Sequence, residues 1–165
     1  MAQKKKVKAT KLSIGLPFNL GQLEFENDEA QQRAAWSLYV ELSTRISVQS
    51  LEEDAGIMRE ALTSLYNVFN ITRQILRDAG PDIARGSHSL GAIAIDVLNI
   101  GLRPFLVKWH PLLKMYEEKK PPSVNTVDHE KTWERAKELR QELEGVRQQM
   151  LIYVDALSKI AGIED

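Results

Sequence analysis

The chain has 165 residues, of which 43% are hydrophobic and 27% are charged, and it contains no cysteine. This length fits one domain with its own core, and the lack of cysteine excludes disulfides and thiolate metal sites. The formal net charge is -1, and because five lysines give residues 1–11 a charge of +5, the rest of the chain carries -6. An acidic body of this kind is a poor electrostatic match for nucleic acid or an anionic membrane.

The lysine-rich segment 1–11 is predicted to be a flexible, solvated tail. An alternative is that it contacts phosphate groups, as part of an accessory nucleic-acid-binding subunit. The candidate phosphate contacts are Lys4, Lys5, Lys6 and Lys8. The segment lacks the apolar centre of a secretory signal, so a soluble, cytoplasmic protein is expected.

Residues 12–26 alternate between apolar and polar side chains, which predicts two short strands around a turn. A lone hairpin is marginally stable in water, so we expect it to lie on the rest of the fold as a lid. Alternatively, it adds a strand to a partner. The candidate residues for that interaction are Leu12, Ile14 and Leu16.

Apolar residues then recur every three or four positions, which predicts helices. Their expected extents are about Asp28–Ser47, Leu51–Ala79, Ser89–Tyr116 and Asp128–Ala161. Asn27 or Asp28 can cap the first helix, and Ser50 with Glu53 has the spacing of a capping box at the second. Gly80, followed by proline, is expected to end the second helix.

The third predicted helix is apolar on more than one side, so it is either central or faces a partner as well as the core. Three charged residues interrupt its apolar window, which favours a buried core helix over a membrane span. Pro104 predicts a kink near Ile100 and Gly101, and Pro111 is expected to end or kink the helix again.

The fourth predicted helix carries a heptad pattern of apolar residues. These are Leu139, Leu143, Val146, Met150, Tyr153, Leu157 and Ile160. At about 1.5 Å per residue the predicted helix spans roughly 50 Å. We therefore expect that it overhangs the other helices, or that its apolar seam continues into a second chain and forms a homo-oligomer.

No catalytic or cofactor-binding pattern is present. The glycine spacing fits neither phosphate-binding fingerprint, and there is no Gly-x-Ser-x-Gly turn or cysteine nucleophile. His129 lies between two acids, with His110 at the end of the preceding helix, but adjacent residues on a helix point in different directions. The sequence therefore predicts no catalytic residue, no metal site and no cofactor.

The segment 101–111 combines two prolines, an arginine and an indole. Arginine and tryptophan are enriched at the energetic centres of protein interfaces. The candidate interaction residues are Arg103, Pro104, Phe105, Trp109 and His110. A structural interpretation stays open, in which the aromatic residues are core, Pro104 only kinks the helix, and Arg103 pairs with a helix-end carbonyl or with Asp96.

The stretch Arg103-Pro104-Phe105-Leu106…Lys108-Trp109-His110-Pro111, with Trp133 and Arg140-Gln141-Glu142-Leu143, resembles a group of small all-helical bacterial proteins of unknown activity. The resemblance covers residues 34–162. Such proteins occur beside multi-domain effector or NTPase genes of bacterial conflict systems, of the anti-phage type. The resemblance implies a protein that docks to others, with a role in antiviral defence, and it carries over no catalytic residues.

Together these patterns predict an all-α fold, an antiparallel bundle of about four helices with a short N-terminal extended or hairpin segment. The expected organisation is a tail at 1–11, an extended segment at 12–26 and a helical domain at 27–165. The predicted function is that of a non-enzymatic protein–protein interaction module, serving as an adaptor, sensor or small subunit of a larger complex. The alternatives are the accessory nucleic-acid-binding subunit and a helical bundle that perturbs membranes.

Overall fold

The computed structural model describes residues 12–26, 28–45 and 57–163. This part of the chain is mostly helical and begins with a small hairpin, which confirms the predicted mostly-α class. The elements are β1 (Leu12–Gly15), β2 (Gln22–Phe25), α1 (Glu29–Ser43), α2 (Met58–Ala79), α3 (Leu90–Glu117), α4 (Thr126–Lys131) and α5 (Ala136–Ala161). The lysine tail and the predicted start of the second helix, with Ser50, Leu51 and Glu53, lie outside the described residues.

The two strands pair antiparallel, with Leu12 opposite Phe25 and Ile14 opposite Leu23. This register puts Ile14, Leu23 and Phe25 on one face, and all three are buried in the common core. Strand β1 contacts α5. The predicted hairpin is therefore confirmed, and its apolar face is covered by the helices.

The tip of the hairpin is a turn in an unusual backbone conformation. Phe18 and Asn19 have φ values of 53° and 58°, in the left-handed region, which costs about 1–2 kcal/mol for an ordinary L-residue. The Phe18 amide donates to Gln149 Oε1 on α5 at 2.6 Å. Its ring lies against Gly101 on α3, where a Cβ atom would come within 2.6 Å of Phe18 Cε2. The turn is thus held between α3 and α5.

Helix α1 begins as the sequence predicts and ends earlier. The Asp28 carboxylate accepts hydrogen bonds from the backbone amides of Ala30 and Gln31, at 3.0 and 3.3 Å. These bonds make Asp28 the N-cap. The pKa of its carboxyl is lowered chiefly by a hydrogen bond from the Gln31 side chain, and the two backbone bonds lower it further. The helix ends at Ser43 instead of Ser47.

Helix α2 ends at Gly80, whose φ of 85° suits glycine and confirms the predicted stop. At its start, the side chain of Ile57 makes no capping bond. The buried side chain of Glu130, from α4, accepts hydrogen bonds from the amides of Met58 and Arg59, at 2.9 and 3.3 Å. Burial is the main reason that the pKa of Glu130 is raised. A carboxylate distant in the sequence therefore caps α2.

Helix α3 contains a π-helical turn at Val97–Leu102, where the sequence predicts a kink. The Arg103 amide donates to Leu98 O, five residues earlier. Proline has no amide to donate and its ring clashes with the preceding turn, so one wider turn accommodates Pro104. The helix continues through Pro111 to Glu117.

Among the described residues, α3 is the one helix whose length and composition would suffice to cross a membrane, with a mean hydropathy of 1.6 in its most apolar window. Half of that window is buried inside the protein. The buried side chains include Leu102 and Trp109. A core helix passes the same test of length and composition, and α3 contacts both α1 and α2.

The prediction of one long fourth helix is wrong. Residues 132–135 interrupt it and separate α4 from α5. The 26 residues of α5 span about 39 Å instead of 50 Å. All seven seam residues are buried in the core of the chain itself, and α5 packs chiefly against α1. The seam is used inside the chain, so a second chain would have to contact another face of α5.

A candidate interaction cleft between α2 and α3

The five candidate residues of the segment 101–111 have different surroundings. Arg103 and His110 are exposed and line a cleft between α2 and α3. Pro104 and Phe105 face a separate hollow beside the hairpin tip, and Phe105 is buried. Trp109 is fully buried. The segment therefore combines core residues with surface residues, and only part of it is available to a partner.

Trp109 is held from several sides. Its indole Nε1 donates to Glu142 Oε2 at 2.5 Å, and its ring meets Trp133 edge to face at 6.0 Å. Lys108 Nζ lies 4.6 Å from the ring centroid and 2.6 Å from Glu142 Oε1. The hydrogen bond from Lys108 is the main cause that lowers the pKa of Glu142, followed by the bond from Trp109. This arrangement anchors α3 to α5.

The cleft between α2 and α3 has a volume of about 270 Å³. One wall consists of Tyr66 and Phe69 on α2, whose ring centroids lie 6.1 Å apart. The other wall, on α3, includes Val107, which is 67% exposed, the highest value for a large hydrophobic side chain among the described residues. Tyr66 is 55% exposed. Exposed apolar side chains of this size beside a concave surface are typical of binding sites.

Two arginines flank the Phe69 ring in this cleft. The guanidinium carbons of Arg73 and Arg103 lie 5.6 and 5.1 Å from its centroid, within the range of cation–π contacts. Their hydrogen-bond partners are neutral amide oxygens. Arg73 donates to Asn70, and Arg103 donates to Asn99 through two nitrogens, each at 3.2 Å. The expected partners of Arg103, Asp96 or a helix-end carbonyl, are not the ones observed.

A third arginine lies at the edge of the cleft and is neutralised. Arg59 forms an ion pair with Glu117, with an Nη2–Oε1 distance of 2.5 Å. Arg59 Nη1 also donates to His110 Nδ1 at 2.8 Å, which leaves the His110 proton on Nε2. The His110 ring lies 5.9 Å from Tyr66. This network fixes His110 as part of the cleft wall.

A second hollow, of about 440 Å³, lies between the hairpin tip, α3 and α5. Phe18 and Pro104 form its apolar part, and Lys108 and Glu142 form an ion pair at its edge. The charges of this ion pair cancel, and the hollow is widely open. The hollow is therefore a weaker candidate for a ligand site than the α2–α3 cleft.

The other predicted site residues lie apart from the cleft. On the hairpin, Ile14 is buried, Leu16 is partly buried and Leu12 is 41% exposed. The four candidate lysines of the tail lie outside the described residues. His129 stacks on Tyr116 at 4.1 Å, and its Nε2 is 2.8 Å from Tyr116 O. Within the described ranges, no group of three or more His, Asp or Glu side chains could hold a metal ion.

Sequence reasoning missed the contribution of α2 to this site. The sequence patterns do not single out Tyr66 or Arg73. A signal was present, because residues 66, 69 and 73 are spaced for one helix face and Tyr66 lies beside the apolar stripe of α2. What the sequence did not show is that this face lies next to Arg103.

Comparisons with known proteins do not identify the chain. No protein-family model, no curated protein and no solved structure matches it.

Proposed function

We propose that the protein is a non-enzymatic interaction module that docks another protein in the α2–α3 cleft. The observation that carries this proposal is the composition of the cleft. Exposed Tyr66 and Val107 lie beside two guanidinium groups that have only neutral partners. Aromatic residues and arginine are the side chains most enriched at the energetic centres of interfaces.

The spacing along α3 supports docking by a helix or an extended segment. Arg103, Val107 and His110 follow one another at intervals of four and three residues, so they share one face of the helix. All three are exposed and line the cleft. A groove wall of this kind is used in helix-in-groove recognition.

We further propose that the helices form an antiparallel bundle, which would hold the two walls of the cleft at a fixed spacing. The contacts of α1 with α2 and α5, and of α2 with α3, support this arrangement. The resemblance to small helical bacterial proteins adds that the protein works in the cytoplasm, as an adaptor, sensor or small subunit. Its partner would then be a larger effector or NTPase of a conflict system.

Site-specific photo-cross-linking in the native host tests the docking site. A photoreactive amino acid is placed at position 107 in the cleft or, as a matched control, at Ile152 on α5, which is 41% exposed. We expect a covalent adduct with one protein from position 107 and none with that protein from position 152. Equal adducts from both positions, or none from position 107, would contradict the proposal.

Further measurements separate the alternatives. If the adduct no longer forms when a lysate is treated with nuclease before irradiation, the accessory nucleic-acid role gains support, and binding that weakens with salt and needs residues 1–11 would establish it. A membrane-perturbing role requires leakage from anionic liposomes, and no leakage would exclude it.

A further inference from the structure

We propose that the α2–α3 cleft recognises an acidic segment of the partner protein, in which an apolar side chain enters the cleft and flanking carboxylates bind Arg73 and Arg103. This inference rests on the proposed docking function and names the chemistry of the partner.

Outside the cleft, most arginines of the described residues have their charge balanced by a carboxylate. Ion pairs with carboxylates are formed by Arg33, Arg45, Arg59, Arg85, Arg135 and Arg147. Within the same ranges Arg73, Arg77 and Arg103 have no such pair; Arg77 does not line the cleft, whereas Arg73 and Arg103 do and hydrogen-bond only to asparagine oxygens. An amide oxygen accepts a hydrogen bond but does not neutralise a charge. The two unneutralised guanidinium groups therefore favour an anionic partner.

The orientation of the Arg73 and Arg103 guanidinium groups also favours a carboxylate. Both lie by the ring of Phe69, which restricts their motion and leaves the nitrogen–hydrogen groups at their edges available. Arg73 uses Nη1 for Asn70, so its Nε and Nη2 remain free to form the two parallel hydrogen bonds that a carboxylate accepts. Arg103 still has Nη1 free. The cleft is thus prepared for carboxylate binding.

The size of the cleft fits part of a larger partner. At about 270 Å³ the cleft lies just below the range of about 300–1,000 Å³ that is common for small-molecule pockets. It suits one or two apolar side chains of a larger partner. The residues that line it include no carboxylate, so the occupant must supply the negative charge.

A peptide selection tests this inference without knowledge of the partner. A random 12-residue peptide library is displayed and selected on the full chain, and enriched peptides are measured by fluorescence anisotropy. Three proteins are compared: the wild type, the double variant Arg73→Gln/Arg103→Gln, and a control double variant Arg33→Gln/Arg85→Gln on exposed surfaces outside the cleft. Thermal melting verifies that each variant is folded.

We expect enriched peptides to combine Asp or Glu with Leu, Phe or Trp. Loss of both cleft arginines in the double variant should weaken their binding by about a hundredfold, and the control should change it by less than about twofold. Binding should also weaken as salt is raised. Enriched peptides without acidic residues, equal binding by the cleft variant, or no enrichment would each overturn the inference. So would dimerisation of the pure protein that Arg103→Gln abolishes, because the occupant would then be a second copy.

Failure of this inference differs from failure of the docking function. If the cross-link from position 107 persists in Arg73→Gln/Arg103→Gln, a protein docks in the cleft but acidity is not what it presents. If position 107 gives no cross-link, the docking function itself fails.

Discussion

Truncating Glu130 to alanine should lower the free energy of unfolding by about 2 kcal/mol. The change leaves the amides of Met58 and Arg59 without their acceptor. A buried donor without a partner costs about 1–3 kcal/mol, and Met58 is fully buried whereas water can reach Arg59. Burial raises the pKa of the Glu130 carboxyl, because burying its charge is unfavourable. Removing this carboxylate therefore recovers part of the cost. For a chain of this size, about 2 kcal/mol corresponds to a fall in melting temperature of about 4–8 °C.

Glu60→Ala is the matched control, because Glu60 lies in the first turn of the same helix and is exposed. It should cost less than about 1 kcal/mol, the usual value of a favourable charge at a helix start. Urea unfolding gives both values, and hydrogen exchange of the Met58 amide should accelerate only in Glu130→Ala. If the two variants are equally stable, or if the Met58 amide exchanges as in the wild type, the account of the distant cap is wrong.

Two further predictions concern packing and pH. Gly101→Ala places a Cβ atom into the Phe18 ring and should lower the free energy of unfolding by about 1–3 kcal/mol. Gly145→Ala meets open space and should raise it by up to about 1 kcal/mol. Equal urea midpoints for the two variants would contradict this. Because the folded pKa of Glu130 lies above the usual 4.5, its contribution to stability is fully present below the unfolded pKa and is lost as the pH rises through the folded pKa. The stability of the wild type relative to Glu130→Gln should therefore fall as the pH is raised above the usual glutamate pKa of 4.5, and a difference that does not depend on pH would refute the assignment.

Features set by neighbouring residues could be predicted from the sequence. Asp28 caps α1 because its carboxylate reaches amides two and three residues ahead, and Gly80 ends α2 because it tolerates a positive φ. The hairpin follows from alternation, and Ile14 and Leu23 indeed face the same side. The disturbance before Pro104 was also foreseen, although it is a π turn.

Features set by distant contacts could not be predicted. The break between α4 and α5 contains neither glycine nor proline. It accompanies the burial of Glu130 at the start of α2, 72 positions away in the sequence. The cleft also depends on a distant contact, because Arg103 and the Phe69 ring come together only when α2 packs on α3. Within the segment 101–111, a sequence pattern could not separate the buried members from the exposed ones.

The most direct test of the α2–α3 cleft as the docking site is quantitative capture of the native partner by Val107→Asp and Ile152→Asp. Both side chains are exposed, so both variants should melt within a few degrees of the wild type. The change at position 107 puts a carboxylate one helical turn from Arg103 and inside the cleft, whereas the change at position 152 alters α5. The account predicts that Val107→Asp loses the partner and that Ile152→Asp retains it. Equal capture by both variants would contradict it.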